Sequence, residues 1–220
     1  HGNPLDLADQ VFLFKRTLRQ SALKHKLYAT FMAKPMGNQP GSSMHLHQSL
    51  YDKKNNKNIF YNKKNTISKI MNYYIGGLQE FTPKLMPIHA PNVNSYRRLF
   101  ATWDAPRNTK WGIGNRSCGF RIPSIEEKSM RIENRISGSD TNPYLVIAAN
   151  LAAGYLGIKN KIKASEETKK STFNDKKSSL PKNMEEAISL FEKDDNIRKV
   201  FNKKFIKTIS AIRRVEYQAY

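Results

Sequence analysis

Apolar residues at helical spacing open the chain. After Pro4 come Leu7, Val11, Phe14, Leu18 and Ala22, a stripe that predicts one long amphipathic helix over residues 5–25. Residues 27–33 turn β-like, with Tyr28, Thr30 and Phe31, and residues 35–43 read as a loop punctuated by two prolines and two glycines. Residues 44–50 alternate as a strand does, and a polar, Asn/Lys-rich hairpin region follows to about residue 66. A second helix is predicted over residues 67–81, with Thr66 as its cap. Residues 87–138, rich in Pro, Arg and aromatics, predict short strands joined by long connections. Asn142 followed by Pro143 starts an Ala-rich helix that runs through Gly157. Residues 165–183 read as a polar, exposed loop, and residues 184–192 and 197–220 as two further helices. Internal repeats are absent, and the longest apolar runs fall short of a membrane span.

Length changes this picture little: 220 residues suffice for one large domain or most of one. Residue 1 is His, no charged-then-apolar leader follows, and the chain stops at Tyr220 inside a helical pattern. The expectation is a fragment of a longer polypeptide, one partial domain over residues 1–220 truncated at both ends. The lone cysteine, Cys118, rules out an internal disulfide framework, fits a reducing cytoplasm, and is read as a packing residue. The formal charge of +20, from 38 Lys and Arg against 18 Asp and Glu, would suit a nucleic-acid binder. Its distribution argues against one, because lysines gather in loops such as 53–64 and 159–177 rather than along one helix face. Acidic partners outside the chain are a further reading of the same excess.

Candidate chemistry begins with Gly41-Ser-Ser-Met-His-Leu-His-Gln-Ser-Leu50. On a strand His45, His47 and Ser49 project from one face, and Met44, Leu46, Gln48 and Leu50 from the other. Two imidazoles and a hydroxyl behind a Gly-Ser loop suit metal and phosphate contacts; they equally suit a pair of surface histidines on a half-exposed strand. In Arg131-Ile-Glu-Asn-Arg135 the same period puts Arg131, Glu133 and Arg135 together, with Ile132 and Ile136 opposite. That is either a structural ion-pair ladder or a metal-binding carboxylate flanked by anion-neutralising arginines. Asn94-Ser-Tyr-Arg-Arg-Leu99 and Asn115-Arg-Ser-Cys-Gly-Phe-Arg-Ile-Pro123 add arginines with no acid at helical spacing. Arginine-lined strands with one Glu and paired His fit phosphoryl transfer better than nucleophilic catalysis, and no Walker-type loop or nucleophile elbow occurs.

In order, Lys34-Pro-Met36, GSSMHLHQSL, NSYRRL, NRSCGFRIP, RIENR and NPYLVIAANLAAG resemble the catalytic domain of the glutamine synthetase family over nearly the whole chain, most weakly in residues 165–183. The opening Gly2-Asn-Pro-Leu-Asp-Leu-Ala-Asp-Gln10 and residues 28–36 look closest to the branch containing gamma-glutamylputrescine synthetases. The resemblance implies an α+β fold, part of a curved antiparallel sheet (a half-barrel) wrapped by helices. It implies an ATP-dependent ligase that joins ammonia or an amine to the side-chain carboxylate of glutamate through gamma-glutamyl phosphate. His45 and Glu133 match ligands of Mg²⁺ or Mn²⁺. Gly41, Arg98, Arg116 and Arg135 match positions that hold glutamate and its phosphorylated form. His47, Ser49, Arg121 and Arg131 match the nucleotide side, and Lys128 goes with them. Asp104 falls where the family usually has a glutamate guarding the ammonia site, so Asp104 and Arg116 are the implied catalytic residues. One imidazole and one carboxylate cannot complete a metal shell, and the remaining ligands are expected upstream.

The resemblance also implies a ring-forming homo-oligomer in which a neighbour's amino-terminal domain completes the site; that domain lies outside these residues. Near Thr172-Phe-Asn174 no tyrosine stands where some relatives are adenylylated. A catalytically dead scaffold is the rival reading, and intact His45, Glu133 and motif arginines argue against it.

Overall fold

The computed structural model describes residues 1–62, 66–101, 105–175 and 177–220. Its first helix, α1 (Pro4–Lys24), starts where Pro4 fixes φ and the Asn3 side chain accepts from the Leu5 amide. The expected stripe is covered only in part: Leu7, Val11 and Ala22 are half-buried, Ala8 beside them is the helix's one fully buried residue, and Phe14 and Leu18 stay 59% and 41% exposed. Hydrogen bonds hold the helix down: Tyr144 donates to Asp9 at 2.6 Å, and Lys15 donates to the carbonyls of Ser139 and Thr141.

Residues 27–33 are extended but join no sheet, contrary to the β-like pattern. Phe31 is held instead by side chains, edge-on to Phe14 and under the Arg19 guanidinium. The strand expected over residues 44–50 is shorter, β1 (Leu46–Gln48), with Ser43 bridging Gly138 beyond its start. The polar region forms two short antiparallel ladders, β2 (Tyr51–Asp52) with β3 (Lys57–Asn58) and β4 (Tyr61–Asn62) with β5 (Thr66–Ile67).

Thr66 therefore lies in a strand and does not cap the next helix. Ser68 does: its amide donates to Phe60 O, so the chain stays extended up to it, and its Oγ accepts from the Met71 amide. Helix α2 (Lys69–Phe81) and a 3-10 turn (Thr82–Leu85) follow. The next stretch departs from the expectation of strands, forming α3 (Met86–His89) and α4 (Val93–Phe100). Arg97 and Arg98 interrupt the apolar periodicity of α4, but Tyr96 and Leu99 are buried.

Strands β6 (Trp111–Ile113), β7 (Phe120–Ile122) and β8 (Ile132–Asn134) complete a sheet of order β1-β8-β7-β6. β1–β8–β7 is antiparallel, and β6 joins parallel to β7. Helix α5 (Pro143–Lys159) begins under an Asn142 cap and packs closely on α2. Added side chains at Gly77 and Gly157 would strike the other helix's backbone at 2.2 Å, so only glycine allows this approach. Residues 165–183 are irregular, as the polar pattern predicts, but not exposed throughout. Thr172 and Leu180 are buried, and the Thr172 amide donates to Ser117 Oγ. Helix α6 (Met184–Lys193) precedes α7 (Asp195–Gln218), which kinks at Asn202 (φ 56°), whose side chain re-caps the second half at the Phe205 amide. Among the described residues no helix is long and apolar enough to cross a membrane.

Candidate active site

The sheet's register builds the site. Glu133 on β8 lies between His47 on β1 and Arg121 on β7, both its direct cross-strand partners. The alternation along residues 44–50 holds: His45, His47 and Ser49 are exposed, and Met44, Leu46, Gln48 and Leu50 are half-buried. Glu133 Oε1 lies 3.1 Å from His45 Nδ1 and 3.8 Å from His47 Nε2. Arg135 Nη1 donates to Glu133 Oε1 at 2.8 Å and Arg121 Nη1 to Oε2 at 3.0 Å. Arg131 Nε donates to His47 Nδ1 at 3.1 Å, and its Nη1 donates to Ser129 O. Six predicted site residues thus converge: His45, His47, Arg121, Arg131, Glu133 and Arg135.

Electrostatics follow from this packing. Burial raises the Glu133 carboxyl, but hydrogen bonds from His45 and Arg121 and the Arg135 charge outweigh it and hold the pKa at about 2. The His47 imidazole is lowered, first by burial and then by Arg131, His45 and Arg121, against the opposing pull of Glu133. One carboxylate therefore stays ionised between two guanidiniums, with a third, that of Arg131, beside His47, an excess of positive charge suited to a phosphate or a second carboxylate. Arg121 Nε is buried with no acceptor among the described residues.

The other predicted residues stand apart. Arg98 is buried beneath the site, donating to Ser43 Oγ and to the carbonyls of Arg135 and Ile136. A side chain at Gly41 would meet Arg98 Cγ at 2.7 Å and Ala33 O at 2.9 Å, so this glycine lets the loop close over the arginine. Arg116 is exposed, and its carbonyl accepts from Arg135 Nε. Ser49 lies just past β1, and Lys128 is exposed in the turn closed by Met130 N donating to Glu126 O. Asp104 falls outside the described residues. Cys118 is buried and its thiol is pushed up to about 11 by burial, consistent with packing. Ser43, which fixes Arg98, was passed over in the sequence; it sits in the Gly-Ser loop, but nothing local marks it as an arginine's partner.

The Glu133 carboxylate is a suitable donor for Mg²⁺ or Mn²⁺ and the His45 imidazole a weaker one that fits Mn²⁺ better than the harder Mg²⁺; the two are close enough to share one ion. They supply part of a shell. Among the described residues no group of three or more His, Cys, Asp or Glu side chains gathers as a metal cluster.

The fold and this face define an α+β domain built around an arginine-rich carboxylate–imidazole site. The family model for the glutamine synthetase catalytic domain matches residues 1–220, and the chain belongs to that family. It is 37% identical to the glutamine synthetase of Methanocaldococcus jannaschii, across 99% of this chain and 50% of the relative. It is 33% identical to gamma-glutamylputrescine synthetase PuuA of Escherichia coli K12, across 97% of this chain and 45% of the relative. To a glutamate–isopropylamine ligase of a Pseudomonas species it is 34% identical, across 94% and 46%. The solved structure of GmaS without ligand superposes on all of this chain and 51% of its own, with a TM-score of 0.88 at 28% identity. The chain spans about half the length of the curated relatives it matches.

Proposed function

We propose that the full-length protein is an ATP-dependent carbon–nitrogen ligase that joins ammonia or an amine to the side-chain carboxylate of glutamate. The observation that supports this best is the convergence of His45 and Glu133 with Arg121, Arg131 and Arg135 on one sheet face. ATP and glutamate repel each other, and a site of this charge offsets that repulsion.

In the proposed reaction the glutamate γ-carboxylate oxygen attacks the γ-phosphorus of ATP, the bond to ADP breaks, and γ-glutamyl phosphate forms. The amine nitrogen then attacks the acyl carbon, the carbon–oxygen bond to phosphate breaks, and the nitrogen loses a proton. His45 and Glu133 would hold Mg²⁺ or Mn²⁺, with further ligands outside the described residues. When bound, that ion neutralises phosphate charge and polarises the transferred group. Arg121, Arg131 and His47, with Ser49 and Lys128, would face the nucleotide. Arg116 and Arg135 would hold glutamate and its phosphorylated form, over a floor set by Gly41 and Arg98. Asp104 would attract the incoming ammonium.

Ring-forming homo-oligomerisation, an amino-terminal domain elsewhere in the polypeptide and a cytoplasmic location belong to the same proposal. The relatives' names include ammonia and amine ligases, so the amine is left open between them. The test is phosphate release by the full-length protein with ATP, Mg²⁺ and glutamate, adding ammonia, methylamine or putrescine in turn. Release that depends on one of these amines is expected; release with none of them would overturn the reading. If Asp104 shapes the amine pocket, Asp104→Glu shifts the preference among the three, by about 1–3 kcal/mol per methylene.

A further inference from the structure

Behind the sheet lies a chain of buried polar side chains that the proposed chemistry does not use. Asn134 is fully buried among apolar neighbours on the back of β8, next in sequence to Glu133. Its Nδ2 donates to Asn150 Oδ1 at 2.7 Å, and its Oδ1 accepts from the Ile136 amide at 2.9 Å. Asn150, fully buried on α5, donates in turn to Val146 O at 2.8 Å. The Tyr74 hydroxyl, from α2, faces the Asn150 carbonyl at 3.4 Å and Gln48 Oε1 at 3.2 Å. Gln48 is on the back of β1, next in sequence to His47. The Tyr74 ring has a fitted seat, since a side chain at Gly154 would lie 2.0 Å from its Cε2.

The geometry has a simple consequence. Side chains alternate across a strand, so a group gripped at the back fixes the depth and rotation of its neighbour at the front. Gln48 is gripped behind His47, and Asn134 behind Glu133. The two grips meet on the same pair of helices, which glycines bring into close contact. Asn134 satisfies the Ile136 amide, but its bond to Asn150 desolvates two side-chain amides, a cost that apolar packing against α5 would not carry.

We infer that Gln48, Tyr74, Asn134 and Asn150 are positioning residues that set the separation of His45 and His47 from Glu133, and so the fit of the divalent-ion site. The inference rests on reading His45 and Glu133 as metal ligands. Its test is Mn²⁺ binding by the full-length protein, measured by titration calorimetry without substrates, alongside Tm. Tyr74→Phe keeps the ring in its seat and removes only the hydroxyl. The double variant Asn134→Leu/Asn150→Leu removes both amides together but also takes the Asn134 acceptor from the buried Ile136 amide, so its Tm is expected to fall.

Tyr74→Phe should keep a Tm near that of the parent and still bind Mn²⁺ more weakly, and the double variant should weaken Mn²⁺ binding further, by about 10-fold, at the low end for partners once removed from the ligands. Unchanged Mn²⁺ affinity in both would overturn the inference. So would weakening that appears only where Tm falls with it, which marks a role in stability alone. A parent protein that binds no Mn²⁺ would instead overturn the metal-ligand reading beneath it. The arms therefore separate the two failures.

Discussion

His89 offers a stability test that needs no substrate. Its side chain is fully buried, Nδ1 lies 2.9 Å from Ser137 Oγ, and Nε2 has no partner among the described residues. Burial lowers its pKa from 6.5 to about 4. The unfolded chain therefore binds a proton more readily than the folded one below pH 6.5, and folding loses stability as pH falls toward 4. At its limit this lowering corresponds to roughly 3 kcal/mol, of which about 2 kcal/mol is lost between pH 7 and 4.5. Carboxylates such as Glu192 and Asp194, whose pKa values are also lowered, add their own losses in acid. The informative quantity is hence a difference between proteins. His89→Gln keeps a group able to face Ser137 but does not titrate. Urea unfolding of both proteins at pH 7, 5.5 and 4.5 should show the parent losing about 1 kcal/mol relative to the variant by pH 5.5 and about 2 kcal/mol by pH 4.5. Parallel pH profiles would refute the argument, showing that His89 is not held neutral by its surroundings.

Glu133→Gln removes the one carboxylate among Arg121, Arg135 and the two imidazoles; turnover of the full-length protein should fall at least about 100-fold, with weaker Mn²⁺ binding, checked by steady-state kinetics and calorimetry. Gly154→Ala drives a methyl into the Tyr74 ring, and chemical denaturation should show a loss of about 1–3 kcal/mol. Ser68→Ala leaves the Met71 amide without its cap and should cost about 1 kcal/mol by the same assay, whereas Thr66→Ala should not remove a cap at all.

What the sequence made legible was local. Asn3-Pro4 and Asn142-Pro143 mark helix starts because cap and fixed φ act within a few residues. His45, His47 and Ser49 share an exposed face because strand alternation needs no knowledge of the partner strand. That Glu133 stands directly opposite His47 was not legible, because 86 positions of chain separate them and only the sheet's register joins them. The family resemblance joined Glu133 to His45 rather than to His47, and spacing alone left both open. Helix α4 was missed for a related reason. Arg97 and Arg98 break its apolar pattern, yet Arg98 is buried because backbone carbonyls and Ser43, remote in sequence, accept its hydrogens. The α1 stripe held only in part, since periodicity predicts an apolar face but not what covers it: Leu7, Val11 and Ala22 are half-buried, whereas Phe14 and Leu18 remain open. The bond between the back-face amides of Asn134 and Asn150 left no local signal either, because only the packing of β8 on α5 brings the two together.

In the proposed reaction glutamate is activated by phosphorylation of its side-chain carboxylate before the amine attacks. Isotope transfer tests this directly. Glutamate carrying ¹⁸O in both γ-carboxylate oxygens is turned over by the full-length protein with unlabelled ATP and the accepted amine, and the released phosphate is analysed by mass spectrometry. Passage through γ-glutamyl phosphate leaves one labelled oxygen in each phosphate released, in step with γ-glutamyl amide formed. Unlabelled phosphate accompanying amide product would contradict the acyl-phosphate route.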